Sequence, residues 1–193
     1  PEAAAEPKKL PAKEVETPAS SDEAPRIDVI ANLLVPAGRT KESKASAPAV
    51  EYLLGLVAEA PDASGGELAS SSWPSQSEVA RGLAVDPGTV SRAVASARKR
   101  WLKTPAMTGL CEDIAALLEN QGGVMTGTEL AEALLSTRGS VQSEPVRTSQ
   151  AFAVLRSAVE TERDRAAPRW IVRRAEHGGQ ILVDSQPGRG SCP

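Results

Sequence analysis

Large rings are scarce in this 193-residue chain, which has three tryptophans, one tyrosine and one phenylalanine: Trp73, Trp101, Trp170, Tyr52 and Phe152. A core with so few rings has to be assembled from alanine, valine and leucine, which suits short packed helices better than a sandwich or a barrel. Histidine occurs once, at His177, and the two cysteines, Cys111 and Cys192, stand far apart with no partner at metal-ligand spacing. That excludes a zinc site of ordinary spacing. No apolar run approaches the ~20 residues of a membrane span, and no charged-then-apolar leader is present, so the expected location is the cytoplasm. The first residue is Pro1 rather than Met and the last seven, from Pro187 to Pro193, are loop-like. Both features lead us to expect an internal piece of a longer protein.

Charge is modest in sum and uneven in distribution. A net charge of −3 argues against a uniformly basic, histone-like protein. Within residues 75–104, however, Arg81, Arg92, Arg98, Lys99, Arg100 and Lys103 stand against only Glu78 and Asp86, while residues 105–184 carry more carboxylates than cations. The positive charge is concentrated in one segment.

Composition divides the chain. Residues 1–25 offer almost nothing to bury and read as a disordered linker. Residues 26–72 read as a short helical and loop connector: the apolar run 27–35 fits either strand or helix, the run 50–58 fits helix, and 61–72 is a Gly/Ser-rich loop. Residues 73–104 read as a helix-turn-helix, residues 105–184 as a winged-helix-like unit, and 185–193 as a tail. The expected fold class is therefore mostly α, with one small β-hairpin.

The helix-turn-helix rests on local chemistry. Ser75 and Glu78 have capping-box spacing at the start of a first helix, residues 83–86 are too short for anything but a sharp turn, and Pro87 supplies a first-turn proline for a second helix. Val79, Ala80, Leu83, Val85, Val90 and Val94 fall at crossing and turn positions, with Ala80 small where the helices approach. Thr89, Ser91, Arg92, Ser96 and Arg98 then face outward, where hydroxyls and guanidinium groups can reach base edges and phosphates. Arg92 is the base-reading candidate. Arg98, Lys99, Arg100 and Lys103 form a basic helix end suited to phosphate and also to the helix dipole.

The following unit repeats the capping logic at Thr126 and Glu129, after an amphipathic helix over 110–120 that ends at Gln121-Gly122-Gly123. A further helix over about residues 149–163 places Phe152, Leu155, Ala158 and Val159 on its buried side. β-rich segments at 169–174 and 180–183, joined by Glu176-His177-Gly178-Gly179, make a hairpin. Helix, short strand, helix, helix, hairpin is the order of a winged helix. His177 reads as an exposed turn histidine and Trp101 and Trp170 as core anchors. Arg169, Arg173 and Arg174 could steer the hairpin toward phosphate, and a protein-contact role for this unit is an equal alternative.

Residues 75–92 followed by Ala97-Arg98-Lys99-Arg100-Trp101 resemble the C-terminal helix-turn-helix domain of bacterial sigma factors. With Trp73-Pro74-Ser75-Gln76 ahead and the Leu-rich unit behind, residues 27–183 more closely resemble the region after the kinase domain in PglW-type serine/threonine kinases of phage-growth-limitation, or BREX-type, defence systems. Ala84 departs from the glycine common in this turn. The resemblance implies a DNA-binding segment of a larger kinase, with double-stranded DNA and other defence-system proteins as partners. A stand-alone transcription regulator or sigma-factor relative, or a protein-protein adaptor, are the alternatives.

Kinase chemistry has no residues here. Phosphoryl transfer needs a Gly-rich loop, a lysine, a base aspartate and metal-binding Asp and Asn. Glu162-Arg163-Asp164 has no Asn at the required spacing and reads as a helix end, and Pro187-Gly188-Arg189-Gly190 lacks the Gly-Lys-Ser/Thr ending of a phosphate loop. We assign no catalytic residue, no metal ligand and no cofactor.

Overall fold

A computed structural model describes residues 24–36, 41–57, 73–163, 165–174 and 181–185 of the chain. The expectations of a disordered leader at 1–25, a Gly/Ser loop at 61–72, an exposed His177 and the 186–193 part of the tail fall wholly or almost wholly outside those residues. The described chain is mostly α. Seven helices run α1 (Ile27–Leu34), α2 (Lys41–Leu54), α3 (Gln76–Gly82), α4 (Pro87–Trp101), α5 (Pro105–Asn120), α6 (Gly127–Arg138) and α7 (Val146–Glu162). Three strands, β1 (Val124–Thr126), β2 (Trp170–Arg174) and β3 (Ile181–Ser185), form an antiparallel sheet in the order β1-β3-β2. Met125 pairs with Val183, and Val183 with Val172.

Local chemistry sets the helix ends. Ser75 and Thr126 each make the complete capping box, with Glu78 and Glu129 reaching back to the cap backbone. That exchange holds the Glu129 carboxyl below its usual range, since the ionised form is the acceptor. At α2 the expected helix over 50–58 stops at Leu54 and instead extends back to Lys41, through Pro48 on the exposed side. Gly55 at φ 73° ends it: Leu56 N–H bonds the Glu51 carbonyl at 3.0 Å and Gly55 N–H the Tyr52 carbonyl at 3.1 Å, a left-handed helix stop. Pro105 is the first residue of α5, where its missing N–H costs nothing.

The run 27–35, open between strand and helix in the sequence, is α1, and it is no mere spacer. Ile27, Ile30, Ala31 and Leu34 are buried in the main core with Leu110, Ile114, Leu118, Leu130, Leu134, Leu155 and Trp170. α1 packs on α7, as does α6. A second core joins α2, α3 and α4 through Ala49, Leu53, Val79, Ala80, Val90, Ala93 and Val94. Gly82 lets Tyr52 lie close against α3: an added Cβ would meet its hydroxyl at 2.6 Å, so the ring would have to shift.

α7 departs most from expectation. The spacing of Phe152, Leu155, Ala158 and Val159 predicts one buried side, yet every residue from Ala151 to Ala158 is buried, including Arg156 and Ser157. α1, α2, α4, α5, α6 and β2 surround it, so no solvent face remains along those turns.

Candidate nucleic-acid interface

The connection between α3 and α4 is built from backbone bonds. Val85 N–H bonds the Ala80 carbonyl at 3.0 Å and Ala84 N–H the Arg81 carbonyl at 3.2 Å, with Ala84 at φ 51°. Asp86 then caps α4, its carboxylate accepting from Thr89 N–H at 3.2 Å, and Pro87 supplies the first helical residue. Val79, Ala80, Val90 and Val94 are buried between the helices as expected, and Leu83 partly so. Val85 is the exception at 40% exposure, because the turn bond ties its backbone to α3 while its side chain points away.

α4 presents one continuous open face. Arg92, Ser96 and Lys99 are exposed at spacings of four and three, and Lys103 continues the stripe in the turn that follows. Ser91 and the half-buried Thr89 flank it near the helix start. Arg92 folds back over the first turn, Nε donating to the Gly88 carbonyl at 3.2 Å and Nη2 to Thr89 Oγ1 at 3.3 Å. Ser91 Oγ donates to Gln76 Oε1 on α3 at 2.8 Å, so the two helices share a polar contact at the edge of the face. Gln76 stands in the Trp73-Pro74-Ser75-Gln76 entry, but its distance to Ser91, which makes it part of this face, is not legible in the sequence.

Two of the expected outward cations turn inward. Arg98 pairs with Glu160 of α7, both side chains only 13% exposed. Arg100 donates to the Leu34 carbonyl at the end of α1, and burial pushes its guanidinium below its ordinary pKa. Trp101 Nε1 reaches the same carbonyl at 3.0 Å. The structure thus brings Thr89, Ser91, Arg92, Ser96, Lys99 and Lys103 to one surface and places Arg98 and Arg100 against α7 and α1.

On α5 and α6 the exposed residues Glu112, Glu119, Glu129 and Glu132 are acidic. Arg169 is engaged by Glu162, whose carboxylate accepts its backbone N–H at 3.0 Å, and the side chains of Arg173 and Arg174 lie outside the described residues. Trp101 and Trp170 are buried, in line with their reading as core anchors. Among the described residues no cluster of His, Cys, Asp or Glu could hold a metal ion, and no helix is long and apolar enough to cross a membrane.

The described residues form a mostly α fold in which α4 carries a cationic face. Over 138 residues, 70% of this chain, the sequence is 34% identical to the protein named "Probable kinase PglW" of Streptomyces coelicolor. The match takes in 9% of that protein's length, so the chain corresponds to a small part of it. No protein-family description and no solved structure matches the chain.

Proposed function

We propose that this chain is the DNA-recognition segment of a larger, defence-associated serine/threonine kinase, with α3 and α4 acting as a helix-turn-helix and α4 entering the major groove. The observation that carries the reading is the exposed stripe Arg92-Ser96-Lys99-Lys103 on a helix whose opposite side is fully packed. A helix of this kind offers side chains to base edges and phosphates without unpacking its own core. Similarity to part of a probable kinase supports the larger context, with phosphoryl transfer performed by residues outside this segment.

The order of α5, β1, α6, α7, β2 and β3 is that of a winged helix. Its third helix is closed off by neighbours from Ala151 to Ala158, and its exposed helices carry carboxylates. Both features favour a supporting role for this unit over a second reading head.

Salt dependence tests the proposal. Two cations on the stripe, Lys99 and Lys103, each contacting one phosphate, give a slope of log affinity against log salt of roughly −2 on mixed-sequence duplex. The double variant Lys99→Ala/Lys103→Ala should flatten it by about two units. Absence of binding at about 50 mM salt, or binding indifferent to salt, overturns the DNA reading and favours a protein adaptor.

A further inference from the structure

We propose that α7 is the positioning element for the DNA-facing helix, holding the α3–α4 pair at its beginning and its end through Arg156 and Glu160. The inference rests on the DNA reading of α4 for its functional consequence, although the clamp itself is a property of the free protein.

Arg156 and Glu160 are four residues apart and so share one face of α7. Arg156 is 3% exposed, and its Nη2 donates to the Pro74 carbonyl at 2.6 Å, one residue before the Ser75 cap of α3. Its guanidinium also lies 5.4 Å from the centroid of the Trp73 ring. One turn later, Glu160 grips Arg98 in the last turn of α4. A single rigid helix therefore fixes where the pair enters and where it leaves. A further polar anchor, Trp101 and Arg100 on the Leu34 carbonyl, comes from α1, which itself packs on α7.

Such an arrangement explains two otherwise separate features. A charged residue sits in the fully buried stretch of α7, where an apolar one would cost less unless its bonds had a purpose. A cation near the reading face is withdrawn from it by a specific carboxylate from 62 residues away. Both charges serve the angle at which α4 is presented, and that angle decides whether short side chains such as Ser96 and Thr89 reach a base edge. Arg98 and Glu160 are positioning residues in this scheme, not phosphate contacts.

The test uses the whole 193-residue chain and four variants: Glu160→Gln, Arg98→Gln, Arg156→Met and the swapped pair Arg98→Glu/Glu160→Arg. Amide exchange is followed across α3 and α4, and binding is measured on a duplex selected by the parent from a random pool and on the unselected pool. The single variants should speed exchange and lower the preference for the selected duplex roughly tenfold, with the salt slope unchanged. The swapped pair should restore both, which a merely unfolded variant would not do. If Arg98→Gln leaves exchange unchanged and flattens the salt slope by about one unit, Arg98 is a phosphate contact and the clamp is refuted. If the parent binds neither duplex, the DNA reading falls by itself, and unaltered exchange in the single variants would still refute the clamp.

Discussion

Ala84 at the end of α3 occupies the same place in a helix stop as Gly55 at the end of α2. In each case the residue is left-handed, at φ 51° and φ 73°, and the following N–H reaches five residues back. Gly122 does the same after α5, at φ 84°. Alanine in this conformation carries a steric cost of about 1–2 kcal/mol that glycine avoids, against a larger unfolded-state entropy of about 0.5–1 kcal/mol for glycine. Ala84→Gly should therefore stabilise the chain by ~0.5–1 kcal/mol, and Gly55→Ala, whose Cβ would meet nothing within 4 Å, should destabilise it by a similar amount. Denaturant midpoints at constant m-value check both, and a loss of stability in Ala84→Gly would contradict the account.

Trp101 ties α4 to α1 by a buried indole N–H on the Leu34 carbonyl. Trp101→Phe keeps most of the ring and removes the donor, so it should cost about 1–3 kcal/mol, whereas Trp101→Ala adds a cavity and should cost about 3–5 kcal/mol. Thermal unfolding followed by circular dichroism distinguishes the two; equal losses would mean that the bond, not the ring, carries the contribution.

Cys111 on α5 is buried, and burial, reinforced by the Glu162 charge, pushes its thiol up from 9.0 to about 12. The folded state holds this proton more tightly than the unfolded chain does. Its contribution to stability is thus complete below the unfolded thiol value and declines as pH rises from about 9 toward about 12. Parent and Cys111→Ala should differ in how steeply stability falls across that window, the parent falling faster. Parallel curves from about pH 8 to about pH 10.5 would show that the thiol is not proton-locked.

Sequence made the α3–α4 pair legible because its signals are local. Ser75 and Glu78 lie within three residues of the groups they cap, Pro87 marks the start of the second helix, and Val79, Ala80, Val90 and Val94 announce their face by spacing alone. Thr126 and Glu129 made α6 readable for the same reason. What stayed hidden depends on neighbours distant in sequence. Nothing near Arg98 marks Glu160 as its partner, and nothing around Arg156 distinguishes a buried cation from a solvated one until Trp73 and Pro74 are brought beside it. Counting charges gave a basic segment of the right sign and overcounted the cations on its surface.

The proposed division of labour on α4 follows from where its cations stand. Arg92 lies in the first turns of the helix, bonded to Gly88 and Thr89, and can exchange those exposed contacts for the acceptor pair of a guanine edge. Lys99 and Lys103 lie two and three turns further along, where the helix axis has carried them ~10–16 Å from Arg92 and toward the flanking backbone. Arg92→Ala should then cost about 1–3 kcal/mol on the selected duplex and little on the random pool, because a lost base contact is felt only where that base is present. Lys99→Ala should weaken both duplexes alike and reduce the salt slope by about one unit. Arg100→Ala, whose guanidinium is spent on Leu34, should leave the slope unchanged and lower stability instead. Anisotropy titrations at several salt concentrations, with circular dichroism to establish folding, separate the three outcomes. Equal losses for Arg92→Ala on selected and random duplex would remove it from base reading and make it another phosphate contact.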